Sequence, residues 1–101
     1  MRIIELDAKN WRTGFDFYRD LLAVLGAPKD HGGNLNAVID SMIWGGMNTV
    51  EPPYTVRVLE MTMLPKDLRE EIELLKRRLD QARIEFQTRR GRDVEVNFET
   101  P

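Results

Sequence analysis

The chain has 101 residues, of which 42% are hydrophobic and 32% are charged, and this composition fits one soluble domain with a single core. It contains no cysteine, so disulfides, thiolate catalysis and cysteine-ligated zinc are excluded. The formal charge of −2 and the pI of about 5.4 argue against nucleic acid as a direct ligand, because binding to phosphates requires a basic surface.

The same features bear on the compartment in which the protein works. Small secreted domains often depend on disulfides, so their absence favours a reducing compartment. Charged residues interrupt the apolar run at the N-terminus, which does not resemble the core of a signal peptide. No segment approaches the roughly 20 apolar residues that span a bilayer. We therefore expect a cytoplasmic protein without a membrane segment.

The first third of the chain predicts a strand followed by a helix. Residues 2–6 form a short apolar run with β-branched side chains, which is typical of a strand. Thr13 is a suitable N-cap for the helix, and Gly26 is expected to end it. Apolar residues at intervals of three and four predict one buried helical face, formed by Phe15, Tyr18, Leu21, Leu22 and Leu25.

A loop over residues 27–33 separates this helix from a second one. Asn34 has the chemistry of an N-cap, and Gly45 and Gly46 are expected to end the helix. The apolar spacing predicts a buried face that consists of Leu35, Val38, Ile39 and Met42.

The second half of the chain predicts a strand, a long helix and a last strand. Residues 54–61 and 93–99 alternate between apolar and polar side chains, and a connection over residues 47–53 precedes the first of them. Pro65 is placed to begin the helix. Its apolar positions step by four and three, at Leu68, Ile72, Leu75, Leu79, Ala82 and Phe86. Helical crossovers between strands favour an α/β fold, a small parallel sheet with helices packed on it, in one domain over residues 1–101.

The sequence offers little catalytic chemistry. His31 is the one histidine, and neither a cysteine nor a second histidine is present to complete a common nucleophilic or metal site. We therefore predict that the protein is not an enzyme and uses no metal or cofactor. Gly32 and Gly33 before a helix could instead bind phosphate, which leaves a small-molecule or phosphate sensor as one further hypothesis.

The second helix has a polar side that is unusual. Asn36, Asp40 and Trp44 are four residues apart and therefore follow one side of the helix, opposite its buried face. A tryptophan beside an acid suits a protein-binding surface, because tryptophan is enriched among interface hot spots. The alternative is that Trp44 folds back under the loop that follows, and the pattern does not separate these two readings.

The segment around this helix resembles the barstar family of ribonuclease inhibitors. The family segment has the form Tyr-Tyr-Gly-x-Asn-Leu-Asp-Ala-Leu-x-Asp, which Gly32, Asn34, Leu35, Ala37 and Asp40 match at the same spacing. Other positions differ, because this sequence has Asp30 and His31 in place of the aromatic pair, Asn36 in place of an acid and Ile39 in place of a tryptophan.

The resemblance implies a fold, a partner and a site. The implied fold is a three-stranded parallel sheet flanked by helices. The implied function is that of an inhibitor or immunity protein that blocks a basic ribonuclease or other nuclease toxin, with Asp40 as the principal acid. We expect a monomer that contacts its partner through Asp30, His31, Gly33, Asn36, Ile39, Asp40, Ile43 and Trp44. The alternative is a barstar-like interaction module that binds another protein and inhibits no nuclease.

Overall fold

The computed structural model describes residues 1–28 and 33–101. In chain order the elements are β1 (Arg2–Asp7), α1 (Gly14–Leu25), α2 (Leu35–Ile43), β2 (Tyr54–Leu59), a short 3-10 helix (Met61–Met63), α3 (Lys66–Arg90) and β3 (Val96–Glu99). The three strands form one parallel sheet in the order β1-β2-β3. The predicted α/β fold with a three-stranded parallel sheet flanked by helices is therefore confirmed.

One face of the sheet supplies the floor of the core. Register places Ile4 of β1 beside Val56 of β2, and Val56 beside Phe98 of β3, and all three side chains are buried. The next row along the strands is charged, with Arg57 paired to both Glu5 and Glu99. Neighbouring residues of a strand point to opposite faces of the sheet. The buried apolar row therefore faces the helices, and the charged row lies on the opposite face.

Helix α1 buries a stripe that differs in part from the predicted one. Tyr18, Leu21 and Leu25 are buried as expected, but Phe15 is 73% exposed and Phe17 is fully buried in its place. Phe15 is rotated by roughly 100° around the helix from the centre of the buried stripe, whereas Phe17 stands one turn before Leu21. The prediction for Phe15 was wrong because intervals of three and four residues also include positions at the edge of the buried stripe. At that edge Leu22 is only partly buried and Phe15 is exposed.

The long helix α3 spans 25 residues and buries the predicted stripe, with Ala82 only partly buried. It begins one residue after Pro65, which is its N-cap. Its C-cap is Gly91, in the left-handed conformation with φ 69°. Across the described parts of the chain, no helix combines the length and the apolar character needed to cross a bilayer.

Candidate functional site

Helix α2 starts where its capping residue fixes it. The Asn34 side chain accepts a hydrogen bond from the backbone N–H of Ala37 at 2.9 Å, as the sequence predicted. This cap fixes the first turn of α2, and the apolar positions of the helix determine which side packs inward. Gly33 is exposed just before the cap, whereas Asp30, His31 and Gly32 lie outside the described residues.

The inner side of α2 is apolar and packs into the core. Val38 and Met42 are buried as predicted. Ile39 and Ile43, which we expected at the partner surface, are also buried, with 6% and 2% of their surfaces exposed. The apolar stripe of α2 is wide enough to include both isoleucines, so both pack into the core. Their exposed surface is too small to contribute much contact area with a partner.

The outer side of α2 lies beside α3. Arg78 donates a hydrogen bond from Nη1 to Asn36 Oδ1 at 3.4 Å, and the Trp44 ring packs against the Phe86 ring with centroids 5.0 Å apart. Asn36 and Trp44 are separated by eight residues, as are Arg78 and Phe86, so the two helices run in the same direction. Asp40 is exposed midway between these two contacts.

Trp44 forms the C-cap of α2 and sits at the edge of the core, 37% exposed. Its ring lies against Phe86, and the Arg90 guanidinium lies 5.4 Å from the centre of the Trp44 ring. The Arg92 guanidinium likewise lies 5.5 Å from the centre of the Phe86 ring. The sequence left open whether Trp44 faces outward or folds under the next loop. In the structure Trp44 is held at the surface by two side chains of α3, Phe86 and Arg90.

Two hollows meet at Trp44. The larger has a volume of about 540 Å³ and includes Phe86, Arg90 and Arg92 together with the prolines at positions 52 and 53. The smaller, of about 420 Å³, includes Asp40, Ser41 and Met47. Because Trp44 lines both, it forms a ridge between the acid of α2 and the arginines at the end of α3.

We use the name α2–α3 face for the surface formed by Asn36, Asp40, Trp44, Arg78, Phe86 and Arg90. The sequence predicted a polar side of α2 formed by Asn36, Asp40 and Trp44, and Asp40 is the one acid among these six residues. Arg78 and Arg90 flank it from α3. The larger hollow also contains three acids, Glu51, Asp93 and Glu95, and Arg83 binds both oxygens of Asp93, at 2.8 and 2.6 Å. The hydrogen bond from that guanidinium lowers the pKa of Asp93, so this carboxylate stays ionised and its charge is paired with that of Arg83.

The contribution of α3 was missed by sequence reasoning. Arg78, Phe86 and Arg90 belong to a series at four-residue spacing along α3, and this spacing was the available signal. It marks one side of a helix but does not say which neighbour that side meets. From the sequence alone, the arginine clusters at residues 77–78 and 89–92 indicate a solvated helix face and a turn.

The described residues do not assemble a metal-binding cluster. Within residues 1–28 and 33–101, no group of three or more histidine, aspartate or glutamate side chains could hold a metal ion. The short hydrogen bond from the Tyr18 hydroxyl to Glu71 Oε1, at 2.5 Å, ties α1 to α3. Burial and this neighbouring carboxylate raise the pKa of Tyr18, which favours the neutral phenol.

A three-stranded parallel sheet packed against helices defines an α/β domain. The family model described as Barstar (barnase inhibitor) matches residues 1–99, and the chain belongs to the Barstar family. Among curated proteins, none matches this sequence.

Proposed function

We propose that this chain binds the active site of a ribonuclease or related nuclease toxin and blocks it, acting as a cytoplasmic monomer. The observation that carries the proposal is the Barstar family match, which extends over residues 1–99. The sequence resemblance aligns Asp40 with the family's principal acid, and Asp40 is exposed on a capped helix. A carboxylate in that place suits the cationic groups with which a nuclease holds phosphate.

The proposed contact surface consists of Gly33, Asn36, Asp40 and Trp44, preceded by Asp30 and His31 as the sequence predicted. A rigid helix suits this role, because its side chains are held in place before the partner arrives. Trp44 supplies a large aromatic surface whose position is fixed by Phe86 and Arg90. Such aromatic anchors carry much of the binding energy in protein interfaces.

The test uses the nuclease encoded beside this gene. Stoichiometric addition of the chain is expected to stop that nuclease from cleaving RNA. Trp44→Ala is expected to weaken inhibition by about tenfold or more, because it removes a large aromatic anchor. Ile84→Ala is the matched control, since Ile84 is an apolar α3 residue that is 65% exposed and lies outside the α2–α3 face.

The alternative is an interaction module that binds a protein other than a nuclease. The observation that favours it is Asn36, an amide bound to Arg78 at the position where the family segment has a second acid. This alternative predicts that no nuclease gene lies nearby and that cells expressing a nuclease gain no protection from the chain. Inhibition at a one-to-one ratio would exclude it. The phosphate-sensor hypothesis predicts thermal stabilisation by nucleotides, which a thermal-shift screen measures directly.

A further inference from the structure

The α2–α3 face carries charges in a regular order. At one end Arg78 contacts Asn36, in the middle stands Asp40, and at the other end Arg90 lies over Trp44. All three charged side chains are exposed. The eight residues from Asn36 to Trp44 span roughly 12 Å of helix, so the three charges lie within the dimensions of one protein interface. The pattern is positive, negative, positive.

Neutral groups hold both arginines in place. The Arg78 guanidinium donates to an amide oxygen, and the Arg90 guanidinium rests over an indole ring. These contacts fix the direction of each side chain without cancelling its charge. The exposed guanidinium groups therefore present positive charge to whatever binds beside Asp40.

A uniformly basic partner fits this surface poorly. One of its cations would be attracted to Asp40, but the cations on either side would face Arg78 and Arg90. Juxtaposed like charges oppose association and are a common means of rejecting the wrong partner. Complementarity instead requires a partner whose central cation has carboxylates on both sides.

We propose that the partner of this chain presents a cation opposite Asp40 and carboxylates opposite Arg78 and Arg90. This inference rests on the proposed function and narrows it to nucleases whose active-site cleft contains both kinds of group. Such clefts arise where basic residues hold phosphate while carboxylates perform acid–base work or bind metal ions. The two arginines thus select among nucleases, and Asp40 supplies the contact common to all of them.

The test measures the dissociation constant for a catalytically inactive form of the nuclease encoded beside the gene. The informative variants are the pairs Arg78→Lys with Arg90→Lys and Arg78→Glu with Arg90→Glu. The control pair, Arg69→Glu with Arg77→Glu, makes the same change in net charge on exposed α3 residues that lie beside Thr100 and Pro101. Thermal denaturation checks that every variant is folded.

The expected order of affinity is parent, then the lysine pair, then the glutamate pair, with the glutamate pair weaker than the parent by about tenfold or more. The control pair should bind within about threefold of the parent, because its charges lie away from the face. If the glutamate pair binds as well as the lysine pair or better, the partner does not present carboxylates opposite Arg78 and Arg90. That result overturns this inference, while the proposed function stands. If the parent does not bind the nuclease, both proposals are overturned.

Discussion

At the scale of single residues, the cap and the helical period decide where Asp40 points. Asn34 fixes the first turn of α2, and the apolar side chains of Val38 and Met42 turn one side of the helix into the core. Asp40 is then left on the outside, where a charge keeps its hydration until a partner arrives. Both the cap and the buried positions are readable in the sequence, so the exposure of this acid could be predicted.

The Tyr54 hydroxyl allows the effect of a single buried polar atom on stability to be tested. Its side chain is fully buried, and its hydroxyl has no hydrogen-bond partner among the described residues. An unpaired buried hydroxyl costs free energy, so Tyr54→Phe is expected to leave stability unchanged or to raise it by up to about 1 kcal/mol. Urea denaturation measures the difference.

The matched variant for this test is Tyr18→Phe. The Tyr18 hydroxyl does have a partner, Glu71, and its removal should lower the free energy of unfolding by about 1–3 kcal/mol. A loss of more than about 1 kcal/mol in Tyr54→Phe would mean that its hydroxyl is hydrogen-bonded in solution.

At the scale of elements, the start of α2 is the feature on which the site depends. Asn34→Ala removes the acceptor for the Ala37 N–H and should destabilise the protein by about 1 kcal/mol. Asn34→Ser retains a capping oxygen and should cost much less. Thermal denaturation of the two variants measures the effect, and equal melting temperatures would show that the cap adds nothing to stability.

The pairing of α2 with α3 is the part of the site that the sequence could not supply. Each helix and most of its buried positions follow from apolar spacing, but the contacts of Asn36 with Arg78 and of Trp44 with Phe86 depend on how the helices lie against each other. That placement is fixed by packing over the sheet, which no local pattern encodes. For this reason the sequence predicted the polar side of α2 but missed the two arginines of α3 that flank it.

Ile39 illustrates the same limit on α2 itself. It occupies the position of a family tryptophan, and the resemblance placed it at the partner surface, while its spacing also placed it on the buried face. The structure buries it to 6% exposed. Apolar spacing therefore predicted the position of Ile39 better than the resemblance did, because burying an isoleucine side chain in the core is favourable in free energy.

At the scale of the whole molecule, the order of elements was sufficient to predict a parallel sheet, because strands separated by helical crossovers pair side by side in the same direction. The ends of the strands were less certain. β2 ends at Leu59 and β3 begins at Val96, inside the predicted ranges. Alternating side chains continue beyond the ladder in both places, so the pattern overestimates the lengths of β2 and β3.

The dependence of stability on pH is also a property of the whole fold. Burial, and for Tyr18 the neighbouring Glu71, raise the pKa of Tyr18 and Tyr54 above the ordinary value of 10.0. The unfolded chain therefore loses these protons at lower pH than the folded protein does. Their contribution to stability is complete below about pH 10 and is lost as the pH rises above it.

Urea denaturation between about pH 8 and about pH 11 should show this fall, and the fall should be shallower in Tyr18→Phe, which has one titrating phenol fewer. If the parent and the variant lose stability in parallel, Tyr18 does not hold its proton more tightly in the folded state than in the unfolded chain.

The proposed function depends most on Asp40 as the contact that binds a nuclease. Truncating one member of a desolvated charge pair costs about 2–5 kcal/mol, a range that draws in part on the barnase–barstar complex itself. The decisive measurement is the dissociation constant of the neighbouring nuclease for the parent, for Asp40→Ala and for Asp80→Ala, an exposed α3 acid outside the α2–α3 face. We predict that Asp40→Ala binds at least about thirtyfold more weakly and that Asp80→Ala binds like the parent. Equal affinities for the parent and Asp40→Ala would contradict the account.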